Sequence, residues 1–391
     1  MMPESPIVIL GGGLAGLSLA VQLVAHDVRR PITILEPRQH YTDDRTWCFW
    51  DTEPHPFADA VSHRWPRWRV TAAGESVTAV GRRYSYCRLP AGRVYDTALA
   101  ILERAPQVTL LRGVWVKDVW PQADGRLVVV TDQGPYVADL AFDGRPPAPG
   151  SWNLGEHPFM WQDFLGWRIQ AQPGSFDPER VDLMDFDTTA APDIRFFYVL
   201  PLSDREALVE STLFTQRPAG QGEHVRHLMR DLDRRIGQPY AVLHSERGRI
   251  PMTTAPPPPA PHPHIIPIGT RAGAPRPSTG YAFLPIQRHS RALSAAVAAG
   301  RPPAAALRSK STLWLDRVFL TKLGAAPEDA PALFRRLFAK VSSDRLVRFL
   351  SEQGNPCDHL AVMTALPAGS FLRAAWDTRP GPLLSAGAER S

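Results

Sequence analysis

The sequence predicts an α/β fold that is built around a parallel sheet, with an additional β-rich part and a helical C-terminal part. Three observations support this prediction. The chain begins with an apolar strand, a glycine turn and a helix; its middle reads as short strands joined by polar turns; and residues 303–378 look largely helical. A chain of 391 residues with 44% hydrophobic residues is long enough to form two or three globular domains.

The first element is the strand "PIVIL" (6–10), which is followed directly by "GGGLAG" and by a segment with helical apolar spacing. Gly11, Gly13 and Gly16 occupy the three glycine positions of a G-x-G-x-x-G turn. Such a turn lets a pyrophosphate approach the backbone, and the N–H groups at the start of the helix, here at Leu14 and Ala15, bind the anion. The turn therefore predicts a dinucleotide site.

The second strand, "ITILEP", ends at Glu36, which follows Gly16 by 20 residues. An acid at this spacing binds a ribose hydroxyl of the nucleotide and disfavours a 2′-phosphate. Strand, turn, helix, strand and acid in this order predict a Rossmann-type domain that binds FAD or NAD.

A second glycine segment favours FAD over NAD. Residues 264–283 read as a strand, Gly269, a loop rich in glycine and proline, and Gly280 before another helix. A distant strand–glycine–helix unit that returns to the nucleotide is typical of flavin monooxygenase-like folds, and "VADLAFDGRPP" (137–147) resembles the strand and turn that close their cofactor site. We therefore predict a discontinuous FAD-binding domain formed by residues 1–60, 88–150 and 262–305.

The remaining residues are assigned to a β-rich substrate domain (61–87 and 151–261) and a helical region (306–391). Within the substrate domain, "FFYVLPL" (196–202) and "ALVESTLF" (207–214) predict a β-hairpin. Glu210 interrupts the second apolar strand. It either faces solvent or an arginine, or it is a carboxylic acid held in an apolar cavity.

One C-terminal helix, within residues 329–350, has an apolar stripe and a basic opposite face; the stripe is formed by Leu333, Phe334, Leu337, Phe338 and Val341. An ordinary amphipathic helix packed on the core and a basic helix lying on a membrane surface both fit this pattern.

Composition excludes several classes of protein. The three cysteines lie far apart and form neither a disulfide framework nor a zinc pattern, and no third ligand accompanies His262 and His264. No uncharged apolar run is long enough to span a membrane, and the N-terminal segment lacks the basic region of a signal peptide. The net charge of +5 permits contact with an anionic surface, but no nucleic-acid motif accompanies it. We expect a cytoplasmic protein.

Several segments resemble the FAD-dependent lycopene cyclases of carotenoid-making bacteria, a family related to the plant β-cyclases. The resemblance covers nearly the whole chain. It is most specific in "DDRTWCFW" (43–50) and "PSTGYAFLPIQ" (277–287), and it extends to "GGGLAGLSLA" (11–20), "WQDFLGWRI" (161–169), "FDPERVDLMDF" (176–186), "FFYVLPLSDREALVESTLF" (196–214), "RGRIPMT" (247–253) and "ALPAGSFLRA" (365–374).

The resemblance implies a lycopene β-cyclase, an intramolecular lyase that converts the ψ-ends of lycopene or γ-carotene to β-ionone rings without net redox change. It implies a requirement for reduced FAD, with NADPH or NADH as electron donor. Because the substrate is a C40 hydrocarbon, peripheral membrane association is expected, as is contact with other carotenoid enzymes.

Glu210 matches the first acid of the family's F-L-E-E-T-like motif, whereas Ser211 stands at the second acidic position. Protonation of an alkene requires an acid that stays protonated near neutral pH, which burial in an apolar pocket can provide. Aromatic faces stabilise the resulting cation; the candidates, each of which also fits core packing, are Trp47, Phe49, Trp50, Trp161 and Trp167. Asp43 and Asp44 are candidates for orienting the cofactor or the acid, and Asp43 also fits an N-terminal helix cap or a turn.

Two other functions fit parts of the sequence. A hydroxylase or prenyl reductase of the same fold would consume NADPH in proportion to product. A non-catalytic prenyl-protein carrier would bind lipid tails without flavin, although the intact glycines and Glu36 argue against it.

Overall fold

The computed structural model describes residues 4–148, 150–187, 193–304 and 306–378. The strands are β1 (Ile7–Leu10), β2 (Ile32–Glu36), β3 (Thr46–Trp50), β4 (His63–Trp65), β5 (Arg67–Ala72), β6 (Glu75–Val80), β7 (Tyr86–Pro90), β8 (Val108–Arg112), β9 (Val116–Pro121), β10 (Leu127–Thr131), β11 (Gly134–Ala138), β12 (Leu140–Asp143), β13 (Phe159–Gln170), β14 (Arg180–Phe186), β15 (Ile194–Pro201), β16 (Glu206–Thr215), β17 (Ala241–Thr253) and β18 (Ile265–Pro267). The α-helices are α1 (Leu14–Ala25), α2 (Ala91–Leu102), α3 (Gln221–Ile236), α4 (Phe283–Ala298), α5 (Lys310–Ala325), α6 (Ala330–Lys340), α7 (Ser343–Leu350), α8 (Pro356–Ala365) and α9 (Ala368–Asp377).

The nucleotide half is a five-stranded parallel sheet in the order β18-β12-β1-β2-β8. Its strands are short apolar runs, as expected where helices cover a parallel sheet. Helices α1, α2 and α4 pack together beside it. The predicted Rossmann-type α/β fold is confirmed, and the glycine turn between β1 and α1 lies at the carboxyl edge of the sheet, where such folds bind their ligands.

A seven-stranded sheet in the order β17-β13-β16-β15-β14-β5-β6 forms the second half. The predicted hairpin is confirmed: β15 and β16 pair antiparallel, and Tyr198 lies opposite Glu210. Helix α3 covers one face through a small apolar cluster with Leu228 and Leu232. The opposite face contributes to a large apolar core that includes residues of α5 to α8.

Two smaller sheets complete the described part of the chain. Strands β9, β10 and β11 form an antiparallel meander. Strands β3 and β4 pair with β7 in a three-stranded sheet of the order β3-β7-β4. Because Phe49 of β3 belongs to the core of the nucleotide half and Trp50 to that of the second half, this sheet joins the two cores.

The apolar stripe of α6 packs on the core, so the membrane-surface interpretation of this stripe is wrong. All five stripe residues are buried, and Phe334 stacks on Phe186 of β14 with ring centroids 5.7 Å apart. On the polar side, Arg335 forms an ion pair with Glu75. The sequence pattern could not separate the two interpretations, because a protein core and a bilayer select the same amphipathic spacing.

Among the residues that the structure describes, no helix is both long enough and apolar enough to cross a bilayer. Residues 379–391 of the predicted C-terminal region lie outside the described part.

Candidate active site

One cavity of about 1040 Å³ connects the two halves. It is lined by the glycine turn, with Gly11 and Gly13, and by apolar side chains of α6, among them Phe334 and Phe338. Glu210 also lines it. A cofactor bound at the turn and an apolar ligand reaching Glu210 would therefore share one space.

The glycine turn has the geometry that a dinucleotide requires. Gly11 has a φ of +98°, which disfavours any side chain there. A methyl group at Gly16 would lie 2.0 Å from the carbonyl oxygen of Gly11, so only glycine lets the helix approach the strand this closely. Helix α1 has no side-chain cap at Gly13, which leaves its first N–H groups available to a pyrophosphate.

The distant glycines also reach the cavity. Gly269 and Gly280 both line it and have φ values of +62° and +72°. A methyl group at Gly269 would lie 2.8 Å from the Cβ of Ala15, at the start of α1. The second glycine segment therefore packs directly on the first, as the sequence predicts for a two-part cofactor site.

Glu36 lies at the end of β2 and is buried, but its carboxylate is already engaged. One oxygen accepts a hydrogen bond from the N–H of Gly12 at 2.6 Å, and the other accepts two from the backbone and side chain of Arg38. Arg38 also donates more weakly to the first oxygen. A ribose hydroxyl can bind Glu36 only if Arg38 gives up one of these bonds, because a carboxylate offers about four acceptor positions.

Glu210 is 7% exposed and projects from the face of β16 that lines the cavity together with Thr212 and Phe214. The opposite face of the strand, with Val209 and Ser211, is buried beneath α3. Strand alternation explains the placement, since every second residue shares a face.

A second carboxyl group, which the sequence analysis missed, lies beside Glu210. Glu246 projects from β17, and both acids are register partners of Gly166 on the intervening strand β13. A methyl group at position 166 would lie 2.9 Å from Cγ of Glu210 and 3.2 Å from Cγ of Glu246. Glycine at this position therefore lets the two side chains meet across a strand, within hydrogen-bonding reach.

The two carboxyl groups have different surroundings. Burial, followed by the charge of Glu246 and its hydrogen bond, raises the pKa of Glu210 well above its ordinary value. Burial also raises the pKa of Glu246, but hydrogen bonds from Glu210 and Thr46 and the charge of Arg88 oppose the shift. Thr46 donates to Glu246 at 3.1 Å. Burial thus raises the pKa of both carboxyl groups, and the hydrogen bond from Thr46 distinguishes them, because it is made to Glu246 and stabilises the carboxylate form of that residue.

Ser211, at the family's second acidic position, does not face the cavity. Its hydroxyl contacts His224 at 3.3 Å and accepts a hydrogen bond from Arg195, and His224 in turn contacts Asp163 at 3.3 Å. These groups are buried between the sheet and α3. Glu210 is therefore not the only carboxyl group at this position, as the motif suggested, but forms a pair with Glu246 from another strand.

The aromatic candidates divide between the cavity and the protein cores. Trp47, Trp50 and Trp161 line the cavity. Phe49 does not line the cavity and stacks on Phe283 at 4.3 Å, and Trp167 packs on the cluster beneath α3. The placement of these last two matches core packing rather than contact with a substrate.

Tyrosines that the sequence analysis did not single out complete an aromatic wall around Trp50. The ring centroids of Tyr86 and Tyr281 lie 4.8 and 5.6 Å from that of Trp50. Tyr198 donates its hydroxyl to that of Tyr86 at 2.7 Å. Burial raises the pKa of all three tyrosines, so their hydroxyls stay neutral.

Asp44 lines the cavity, but its carboxylate is paired with Arg45 at 2.9 Å and accepts a hydrogen bond from Tyr95. Asp43 accepts a hydrogen bond from the N–H of Gly92 in the first turn of α2. No helix begins at Asp43, whose side chain instead satisfies an N–H group in the first turn of α2, a helix from elsewhere in the chain. Within the described ranges, no cluster of three or more His, Cys, Asp or Glu side chains could hold a metal ion.

Comparison with known proteins identifies the family. Residues 6–376 match the family model of lycopene cyclase proteins. The chain is 28% identical to a lycopene beta-cyclase of Pseudescherichia vulneris over 71% of its length and 70% of that protein's. It is 23% identical to one of Pantoea ananas over 96% and 98% of the two chains. The chain belongs to the lycopene cyclase family.

Solved structures support the fold. A geranylgeranyl bacteriochlorophyll reductase-like protein from Thermoplasma acidophilum superposes with a TM-score of 0.59 at 12% identity, covering 96% of both chains. A p-nitrophenol 4-monooxygenase from Pseudomonas putida gives 0.58 at 15% identity, covering 96% and 98%. A putative FAD-containing monooxygenase from Photorhabdus luminescens gives 0.55 at 11% identity, covering 84% and 99%. The chain therefore shares the fold of these enzymes.

Proposed function

We propose that this member of the lycopene cyclase family converts the ψ-ends of lycopene and γ-carotene to β-ionone rings, with Glu210 as the proton donor and no net redox change. The observation that carries the proposal is the placement of Glu210. It lies buried in a largely apolar cavity that continues to the dinucleotide turn.

The reaction begins with an alkene, which is a very weak base. A proton added at C2 of the terminal C1=C2 bond leaves a tertiary cation at C1. The electrons of the C5=C6 bond then form the C1–C6 bond, and loss of the C6 proton creates the new C5=C6 bond of the ring. An unperturbed Glu, with a pKa of about 4.3, would be ionised at neutral pH and could not start this sequence. The raised pKa of Glu210 keeps its proton available.

The cation must survive until the ring closes. The faces of Trp50 and the neighbouring tyrosines offer negative quadrupole potential, and their neutral hydroxyls are poor nucleophiles. FAD would be held by the two glycine segments, with its ribose near Glu36. An anionic reduced flavin held by these segments would supply negative charge that stabilises a cation, which would give a physical reason for reduction, by NADPH or NADH, in a redox-neutral reaction.

The test is expression in a lycopene-accumulating host, with the pigments separated by chromatography. The wild type is expected to produce β- or γ-carotene. Glu210→Gln keeps the shape of the side chain but removes the acid, and it should lower cyclisation by about 10²–10⁴-fold while flavin binding persists. A variant that binds flavin and cyclises normally would disprove the role of Glu210.

A monooxygenase or a carotenoid reductase is the alternative function, favoured by the superposition on enzymes of those types. The two functions differ in their use of electrons. A cyclase turns over many substrates for each reduction of its flavin, whereas an oxygenase or reductase consumes one NADPH for each product. Oxidation of NADPH in proportion to product would therefore favour the alternative.

We also infer that the protein takes its substrate from a bilayer, because a C40 hydrocarbon has almost no solubility in water. With the α6 stripe buried, a different surface is available. Large apolar side chains are exposed on α8 and α9, where Leu372 is 70% and Trp376 66% exposed, and Leu360 and Met363 are also exposed. An apolar, aromatic-containing surface of this kind fits the interfacial region of a membrane.

Flotation with lipid vesicles tests this surface. Leu360→Glu and Leu372→Glu should each reduce the bound fraction, because a charge replaces an apolar side chain at the lipid boundary. Trp115→Glu is the matched control, since Trp115 is 62% exposed but lies on the nucleotide half beside the meander. Equal binding by all three variants would exclude α8 and α9 as the membrane contact.

A further inference from the structure

The cyclisation needs a base as well as an acid, since one proton enters at C2 and another leaves from C6. A single carboxyl group could perform both steps only if it reached both carbons in turn. The structure offers a second group: Glu246 lines the same cavity and lies across Gly166 from Glu210.

We propose that Glu210 and Glu246 share one proton and divide the two transfers between them, with Glu210 as the acid and Glu246 as the base. This inference rests on the proposed cyclisation. The O–H bond of Glu210 breaks as the C2–H bond forms, which leaves Glu210 as a carboxylate. The C6–H bond then breaks, its electron pair forms the C5=C6 bond, and Glu246 takes the proton.

The pair then returns to its starting state without solvent. The proton on Glu246 passes to the carboxylate of Glu210 across the hydrogen bond between them, so that the site is ready for another ring. No proton is gained or lost over the cycle, in agreement with an isomerisation. During the cationic stage both carboxyl groups are ionised, which places two negative charges beside the carbocation and stabilises it.

The surroundings support this division of roles. Glu246 receives the Thr46 hydrogen bond, which stabilises its carboxylate form. Arg88 on β7 supplies the positive charge that balances one ionised carboxylate, and it is itself buried. Glu210 has no hydrogen bond from a hydroxyl among the described residues.

The other groups that face the pair are few. His244 lies on the same strand as Glu246, Cys48 lies on β3 and Tyr198 on β15. Burial raises the pKa of both Cys48 and Tyr198, so they stay neutral where the pair titrates. The limbs of the pH profile that change in Glu246→Gln, in which His244 is retained, should therefore report the pair.

The experiment measures kcat and KM against pH for the reduced holoenzyme, with lycopene supplied in lipid vesicles. For the wild type, kcat plotted against pH should be bell-shaped. The activity should fall at low pH as Glu246 becomes protonated, and at high pH as Glu210 loses its proton. Glu246→Gln keeps the side-chain shape and an acceptor for Thr46. It should lower kcat by about 10²–10³-fold with little change in KM.

The shape of the pH profile separates a base from a structural residue. In Glu246→Gln the acidic limb should disappear, and the alkaline limb should move to lower pH because the charge that holds the proton on Glu210 is gone. Glu246→Asp retains a carboxylate and should recover part of the rate and both limbs. Glu206→Gln is the matched control, since Glu206 lies on the same strand as Glu210 but pairs with Arg168 away from the cavity.

Infrared difference spectroscopy of the purified protein measures the protonation of the two carboxyl groups independently of the reaction. The wild type should show one protonated carboxyl band near neutral pH that disappears in Glu210→Gln and titrates at lower pH in Glu246→Gln. If the wild type forms no rings but this band behaves as expected, the proposed function fails and the shared proton stands. If rings form, and Glu246→Gln matches Glu206→Gln in rate and pH profile, the base assignment is overturned.

Discussion

The cavity has a cofactor end, at the glycine turn, and an acid end, at Glu210 and Glu246. These two ends are built in different ways. The glycine turn is one continuous stretch of chain, in which β1, three glycines and α1 follow each other directly. The carboxyl pair is assembled from two strands, β16 and β17, that pair with opposite edges of β13. A local motif thus supplies the cofactor site, whereas the reactive groups depend on how a sheet is ordered.

The largest effect is expected from a substitution that disrupts the cofactor end. Gly16→Ala should abolish flavin binding, because its methyl group would lie 2.0 Å from the carbonyl oxygen of Gly11 and would push α1 away from β1. The flavin absorbance of the purified protein measures this loss. Gly324→Ala is the control, since a methyl group at that position has no neighbour within 4 Å. A flavin content equal to that of the control would show that the turn tolerates a wider spacing.

The next largest effect is expected from a substitution that disrupts the acid end and leaves the cofactor end intact. Gly166→Ala should lower cyclisation by about 10–100-fold, because the methyl group forces Glu210 and Glu246 apart. Flavin binding should persist. Product formation and flavin content, measured on one preparation, separate the two ends; loss of both together would mean that the sheet, rather than the pair, had been disturbed.

The smallest effect is on stability and concerns the acid end alone. Because the folded pKa of Glu210 lies above its unfolded value, its contribution to stability is present in full at acidic pH and is lost as pH rises through the folded pKa. In that window the loss is about 1.4 kcal/mol per pH unit. Glu210→Gln should therefore be more stable than the wild type at pH about 8 and lose this advantage towards pH about 4.

Denaturant unfolding at several pH values measures the difference. Glu206→Gln again serves as the control, because its carboxylate pairs with Arg168 outside the cavity. A Glu210→Gln variant with the same pH dependence as the wild type would mean that Glu210 is not held protonated by the fold.

The sequence predicted those features of the structure that are determined by residues close together in the chain. The parallel nucleotide fold, the β15–β16 hairpin and the position of Glu210 in an apolar strand followed from local patterns, and the resemblance to lycopene cyclases agrees with the family match. Glu246 was missed because its neighbours His244, Arg247 and Arg249 give the segment a solvated appearance. A weak signal existed, since strand alternation places Glu246 on the same face as the apolar residues Ile250 and Met252.

By itself, then, the sequence determined the α/β fold and the dinucleotide turn, because backbone conformation and helix or strand periodicity are set by residues close in the chain. Only the tertiary structure decided which acid stands beside Glu210, that Ser211 faces α3, and that the α6 stripe covers the core. These outcomes depend on strand order and on helix packing. Both arise from contacts between segments far apart in the chain, which local patterns do not record.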